Sequence, residues 1–272
     1  MTESLANVDL ERFRTGAAKY AAYLETFEGR LRLDLSFTNL QEFLPPAARS
    51  VLDLGGGTGA MAVRLARLGL HVTLVDSSSP MLELAERAAQ ESRVTENVVC
   101  KHGDAARLLK LVDARSFDVV ICHNILEYVD DPSAVLHEAA LALRDSNSIM
   151  SVLVRNQSGE VLKSAILEGD LAAAEHNLAA EWAHESLYGG KVRLFTLQSV
   201  QIMLTDAAME VAAERGVRVL SDYLPSKISK EQEYERILDL ERKLGKRPEF
   251  ARVARYLQCV ARRVDARLKG RE

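Results

Sequence analysis

The chain has 272 residues, 47% hydrophobic and 27% charged, with a net charge of -4. That supplies a sizeable core for one large α/β domain or two small ones, and the net acidity excludes general nucleic-acid binding through bulk charge. The charge is uneven, with about 17 basic and 27 acidic groups in residues 1–186 and about 18 and 12 beyond, so the basic C-terminal third either meets an anionic substrate or forms solvated helix faces.

Cys100, Cys122 and Cys259 are an odd set without metal-type spacing and read as reduced core residues of a cytoplasmic protein. The first nine residues have neither a basic start nor an apolar run, so no secretory leader is expected there. No apolar stretch approaches membrane-spanning length. No exposed apolar stripe stands out to set an oligomeric state.

Residues 8–44 read as helix, with Leu10, Phe13, Ala17, Tyr20 and Leu24 and then Leu31, Leu35 and Leu40 on one face. Gly29 is expected to interrupt it, and Pro45-Pro46 to end it. Val51 to Leu54 is a first strand running into Gly55, Gly56, Gly57 and Gly59, followed by a helix from Ala60 to Leu68 that Gly69 closes. These are more glycines than a plain strand–helix turn needs. They let a ligand approach the backbone, and the following helix offers free N–H groups, so the turn reads as a nucleotide-type site.

His71 to Val75 is a second strand ending in Asp76, an acid about twenty residues past the glycines and suited to two ribose hydroxyls. A helix from Met81 to Gln90 follows the cap-like Ser77-Ser78-Ser79-Pro80, and Ser77 and Met81 are expected beside the bound nucleoside. Asn97 to Lys101 is a third strand. Asp104, just past it, either takes an adenine amine, next to Ala105, or caps a helix over 105–111. Phe117 to Cys122 is an apolar fourth strand with His123 off its end. A helix runs from Asp131-Pro132 to Leu143, and Ser148 to Val154 is a fifth strand ending at Arg155-Asn156.

Residues 158–190 are expected to be a helical insertion over the site, a substrate lid holding Trp182, His176 and His184. Two histidines eight apart without a third ligand do not make a metal site. Thr196 opens another helix, Glu210 to Leu220 holds a strand, 229–245 a charged amphipathic helix, and Arg255 to Arg262 a last strand. Strands alternating with helices mean a doubly wound, Rossmann-like parallel sheet with ligands at its C-terminal edge. The layout expected along a single domain of residues 1–272 is an N-terminal helical segment (1–46), a cofactor-binding core (47–156), a lid insertion (157–195) and a substrate-side part (196–272).

Gly55, Gly57 and Ala60 satisfy the dinucleotide fingerprint, so an NAD-dependent oxidoreductase is one reading. Asp53 favours another. It sits inside the first strand's end, where a pyrophosphate has no use for an acid but the cationic methionine end of S-adenosylmethionine does. Asp104 also suits a single adenosine lying across the sheet.

On Asp53 to Gly59, Asp76, Gly103-Asp104-Ala105 and His123-Asn124-Ile125-Leu126-Glu127-Tyr128, the chain resembles the class I S-adenosylmethionine-dependent methyltransferases. The resemblance implies strand order 3-2-1-4-5-7-6 with the last strand antiparallel. Within them it is most similar to the tRNA 5-carboxymethoxyuridine methyltransferases, through Gly29-Arg30-Leu31-Arg32, His123 to Tyr128, Arg155-Asn156, Gly216 to Leu224, Leu240-Glu241 and Arg255-Tyr256-Leu257. By that resemblance Arg32 meets the cofactor's carboxylate, Gly55 and Gly56 its backbone, Asp76 the ribose, Ala105 the adenine, and His123 lies beside it, with Gly57 completing the loop. The family's lysine-rich segment before the sixth strand is here Tyr188 to Thr196.

Methyl transfer from a sulfonium asks the protein mainly to align the acceptor and exclude water. A carboxylate acceptor needs no base, and Arg155, Arg193 or Arg218 could hold it. A hydroxyl or amine acceptor needs one, and His123 is the best-placed group unless it only packs on or bonds the cofactor. Expected acceptors are a tRNA wobble uridine or, alternatively, a small molecule taking the methyl on O or N; a third reading is cofactor binding without turnover. No metal and no membrane are expected as partners.

Overall fold

The computed structural model describes residues 5–185 and 187–264. The first four residues of the leader reading, the last eight of the C-terminal part, and the side chain of Leu10 lie outside them.

Two helices open the chain, α1 (Leu5–Leu24) and α2 (Phe27–Gln41). The break falls at Thr26, not at Gly29. Thr26 has extended backbone, and its hydroxyl accepts from the Gly29 amide at 3.1 Å, a side-chain cap on α2's first turn. Gly29 lies inside that turn for a different reason: a Cβ there would sit 2.0 Å from the Tyr23 carbonyl oxygen, so its bareness lets α2 touch the end of α1.

The sheet then builds through β1 (Ser50–Leu54), α3 (Ala60–Arg67), β2 (His71–Asp76), α4 (Ser79–Glu91) and β3 (Val98–His102). A 3-10 stretch, Ala105–Lys110, stands where a helix over 105–111 was expected, because Arg107 leaves helical geometry. β4 (Val119–His123) starts two residues late, since Phe117 makes only an isolated bridge to Leu143, and it extends to include His123. After α5 (Pro132–Ala142) and β5 (Ile149–Arg155) comes the insertion. It is not all helix: α6 (Gln157–Ile166) and α7 (Leu171–Asn177) are followed by an antiparallel hairpin, β6 (Trp182–Glu185) and β7 (Gly190–Arg193). The chain continues through α8 (Leu197–Asp206), β8 (Met209–Val217), α9 (Tyr234–Gly245), α10 (Pro248–Ala251) and β9 (Tyr256–Arg263). β8 stops short of Leu220 because Arg218 turns into the left-handed region at φ +61, and α9 begins at Tyr234 rather than at 229.

The seven-stranded sheet has the order β3-β2-β1-β4-β5-β9-β8. β9 runs antiparallel to both neighbours. Counted within this sheet, that is the 3-2-1-4-5-7-6 arrangement the resemblance implied. β1 is central, and Val51, Leu52 and Leu54 are fully buried because helices cover both faces of a parallel sheet. Asp53 is the exception, a carboxylate 2% exposed between them. Leu31, Leu35 and Leu40 bury one side of α2 completely, each contributing ~1.5–3 kcal/mol of burial. The chain direction switches sides between β1 and β4, and there the strand ends open a crevice. Cys122 and Cys259 are buried, Cys100 half-buried, and all three are free thiols.

Candidate active site

A cleft of about 1110 Å³ lies along the C-terminal ends of the parallel strands. Arg32, Gly55, Gly57, Asp76, Ser77, Met81, Asp104, Ala105, His123, Arg155 and Arg218, distant in sequence, all line it. Asp53 and Gly56 line an adjoining recess of about 50 Å³ that shares Arg32, Gly55 and His123 with the cleft. Arg193, expected among the acid-holding arginines, does not line it: its guanidinium lies 4.7 Å from the Trp182 ring centroid and donates to the Asp130 carbonyl at 3.3 Å.

The glycine turn and Asp76 form one unit. Gly57 has φ +55, and its amide donates to Asp76 Oδ2 at 2.9 Å while the Ser78 amide donates to Oδ1 at 2.9 Å. The carboxylate is fixed by backbone and keeps one lone pair per oxygen for further donors, as a pair of ribose hydroxyls requires. Gly56 is bare because a Cβ would come within 2.8 Å of Asp53 Oδ2. Burial, reinforced by the neighbouring Asp76, pushes the Asp53 carboxyl up to about 7. Its Oδ2 is buried and has no partner among the described residues. A half-ionised acid with an unmet buried oxygen fits a cationic ligand group. Asp104 Oδ1 accepts from the Ala106 amide at 2.9 Å, so the cap is real, and the side chain lines the cleft as well.

Arg32 supplies the opposite charge. It is buried, donates from Nη1 to Asn124 Oδ1 at 2.9 Å and from Nη2 to the Tyr20 hydroxyl at 2.8 Å, and lies over the rings of Tyr20, Tyr23 and Tyr256. It has no carboxylate partner among the described residues. A buried cation held by neutral groups fits an anion arriving from outside. Together Asp53 and Arg32 fit the amine and the carboxylate of one amino-acid moiety, and Asp76 a ribose, so the residues present suit S-adenosylmethionine.

His123 Nε2 meets Ser151 Oγ at 2.8 Å, and Nδ1 is buried without a partner among the described residues. Burial, then the Arg32 charge, lowers the imidazole to about 3, so the ring is neutral at physiological pH.

Next to Arg32, Arg155, Arg218 and Arg255 complete a ring of guanidiniums around Tyr256, a residue only 5% exposed. Burial raises the phenol, and these guanidiniums, Arg155 foremost, outweigh it and bring it to about 8. Arg218 is paired with Asp222 and donates to the Tyr23 hydroxyl at 3.1 Å; Arg255 pairs with Glu160 at 2.6 Å and Arg155 with the same Glu160 at 3.9 Å. Glu127 Oε1 accepts from Asn124 Nδ2 and from the Arg155 amide, each at 2.8 Å, tying the ends of β4 and β5 together. Tyr20, Tyr23 and Tyr256 had no assigned role from sequence, and Asn124 and Glu127 stood only as members of a motif. Of the three tyrosines only Tyr256 has an arginine beside it in sequence, Arg255; Tyr20 and Tyr23 carry no such signal.

The roof is aromatic. Phe13 meets Tyr128 edge-on at 4.9 Å and Tyr188 at 5.1 Å, while Tyr20 stacks on Tyr188 at 6.1 Å. Tyr188 comes from the β6–β7 turn and packs where a Cβ on Gly16 would intrude at 2.4 Å. Lys163, Leu167, Glu185 and Leu187 of the insertion also line the cleft, whereas Trp182, His176 and His184 do not. Among the described residues no group of three or more His, Cys, Asp or Glu could hold a metal ion, and no helix is long and apolar enough to cross a membrane.

Residues 51–146 match a family model described as a methyltransferase domain. The chain is 27% identical over 256 residues to the tRNA 5-carboxymethoxyuridine methyltransferase of Escherichia coli (strain K12), covering 90% of this chain and 92% of that protein. It is 31% identical over 171 residues to the ubiquinone biosynthesis O-methyltransferase of Ralstonia nicotianae, covering 60% of this chain and 69% of that protein. Among solved structures, the magnesium protoporphyrin IX methyltransferase of Synechocystis PCC 6803 with bound S-adenosylmethionine shares the fold, with a TM-score of 0.63 at 14% identity over 97% of this chain and 99% of that one.

Proposed function

We propose, since this chain belongs to the class I S-adenosylmethionine-dependent methyltransferases, that its acceptor is a carboxylate and that the carboxylate is that of 5-carboxymethoxyuridine in tRNA. The observation that carries the first part is the ring of Arg32, Arg155, Arg218 and Arg255 around Tyr256, with Glu160 and Asp222 as its only ion-pair partners among the described residues. That corner has more buried positive than negative charge, and arginine's planar fork suits a carboxylate.

The bound cofactor supplies a methyl group already activated by the sulfonium charge. The chain's own residues then have three tasks. The arginines hold the acceptor oxygen in line, the aromatic roof keeps water out, and no group has to take a proton, because a carboxylate is ionised at neutral pH. His123, with its basicity suppressed, agrees with a reaction that needs no base. The tRNA assignment draws on the Escherichia coli relative, which matches nearly the full length of this chain. The dinucleotide reading falls with family membership.

One observation favours a small-molecule carboxylate instead. Three cations near the cleft mouth are already paired, Lys230 with Glu28 at 2.8 Å, Arg30 with Glu231, and Lys163 with Glu168 at 2.7 Å, while Lys19 is exposed at the cleft. In the basic C-terminal segment Arg215 and Lys246 are likewise paired, both with Glu42. Labelled S-adenosylmethionine offered with total tRNA and with a pool of small carboxylic acids separates the two. Label in base-labile ester on tRNA, with affinity falling steeply as salt rises, supports the wobble nucleoside; label only among small acids overturns it.

A further inference from the structure

We propose that Gln258 and Ser151 fix His123 as its Nδ1–H tautomer, so that the ring offers a neutral hydrogen-bond donor to the carboxylate that Arg32 attracts. The relay can be followed proton by proton. The Ser36 carbonyl can only accept, so the Gln258 atom 3.0 Å from it is the amide nitrogen Nε2. Oε1 therefore faces the other way and receives the Asn39 amide at 3.0 Å. The second Nε2 hydrogen points to Ser151 Oγ at 3.1 Å. Ser151 is fully buried, and its one remaining contact is His123 Nε2. Its own proton goes there. Nε2 is then an acceptor, and the proton of a neutral imidazole has only Nδ1 left to occupy. The reverse arrangement would aim two donors at Ser151 and leave a buried hydroxyl proton unmet, an unfavourable state for a group without access to water.

Among the described residues Nδ1 has no partner, and His123 shares both the cleft and the adjoining recess with Arg32. An N–H beside a guanidinium without an acid of its own is a donor set for an anionic oxygen. A lone pair at the same place would repel that oxygen. Asn39, Gln258 and Ser151 thus act through His123 as positioning residues, reaching it from α2, β9 and β5. The tautomer follows from the relay alone; only the identity of the carboxylate, the cofactor's methionine end or the acceptor, rests on the methyltransferase reading.

Nitrogen-15 NMR of histidine-labelled protein without ligand reads the tautomer directly. The expected spectrum shows His123 protonated at Nδ1, a mixture of tautomers in Ser151→Ala, and recovery in Ser151→Thr. In Gln258→Glu a carboxylate would take the Ser151 proton and turn the ring to Nε2–H, which provides a second variant should Ser151→Ala fold poorly. Calorimetry with S-adenosylhomocysteine and with methylthioadenosine, which lacks the amino-acid end, identifies the carboxylate. About a tenfold loss in Ser151→Ala for the first ligand alone assigns it to the cofactor. Unchanged binding of both with about a tenfold higher acceptor KM assigns it to the acceptor. Nε2–H in the unaltered protein, or variants that change neither tautomer nor any affinity, would overturn the proposal, and since the NMR needs no substrate, that result stands apart from any failure of the methyltransferase reading.

Discussion

Arg32 and Asn124 are joined by a 2.9 Å hydrogen bond from guanidinium to side-chain oxygen, and Asn124 hands the link on through its amide to Glu127 at 2.8 Å. One residue thereby connects the N-terminal helices to the ends of β4 and β5. Asn124 also has φ +53, a left-handed backbone that asparagine tolerates better than most residues.

Those two roles separate by substitution. Asn124→Gly keeps the backbone but removes the bridge and leaves the buried Arg32 and Glu127 short of a partner, so S-adenosylhomocysteine affinity should fall about tenfold and stability by about 1–3 kcal/mol. Asn124→Ala should lose the same affinity and about 1 kcal/mol of stability besides, from the left-handed backbone. Equal stability of the two variants in urea denaturation would show that the backbone carries no such cost.

Asp53 sets a pH dependence. Its folded-state pKa, about 7, lies above the ordinary carboxyl value of 3.8, so between those values the free protein binds a proton that the unfolded chain does not. The contribution of Asp53 to stability is therefore fully present below about pH 4 and is lost as pH rises through 7. A cationic ligand favours the carboxylate, so its binding at about pH 6 should release close to one proton, and affinity should rise with pH until about 7 and then level off. Calorimetry in buffers of different ionisation heat counts that proton. Asp53→Asn should abolish both the release and the pH dependence; persistence of either would place the titrating group elsewhere.

Arg155 is the foremost charge lowering the Tyr256 phenol. In Arg155→Gln the acceptor KM should rise at least tenfold, while S-adenosylhomocysteine affinity stays within about twofold. The phenol, freed of its strongest cation, should titrate above its present value of about 8, visible in the carbon-13 shift of labelled tyrosine. A KM that does not move would remove Arg155 from the acceptor's surroundings.

The glycine turn, Asp76 and the sheet were legible because their signals are local: apolar strands of the right length, punctuated by glycine and ending in acids. The β6–β7 hairpin was not. Glu181-Trp182-Ala183-His184-Glu185 carries helix-compatible residues, and its strand character comes from pairing with Lys191 to Arg193. The arginine ring around Tyr256 was half visible, since Arg155 and Arg218 stood among the arginines expected to hold an acid, but Tyr256 opens an antiparallel strand whose placement beside β5 no local pattern reveals. Ser151 and Gln258 carried an unread signal: each is a polar residue inside the buried stretch of its strand, ahead of the arginines at the strand's end, and such residues must find partners.

Gly29 shows what a misread glycine is for. It was expected to interrupt a helix, yet it sits inside α2 with the backbone of α1 against it, where a Cβ would meet the Tyr23 oxygen at 2.0 Å and the Leu24 Cα at 2.8 Å. Both obstacles are backbone, so no rotamer can relieve them and the helices must move apart. Gly29→Ala should cost ~1–3 kcal/mol, as overpacking does, and because Tyr20 on α1 holds Arg32 on α2, cofactor affinity should fall with it. Gly69→Ala is the matched control. Gly69 has φ +84 with nothing within 4 Å of a Cβ, so alanine there should cost about 1 kcal/mol from backbone alone and leave binding unchanged. Urea midpoints and S-adenosylhomocysteine titrations on the pair decide the matter: if Gly29→Ala binds as tightly as Gly69→Ala, the contact between α1 and α2 does not position Arg32.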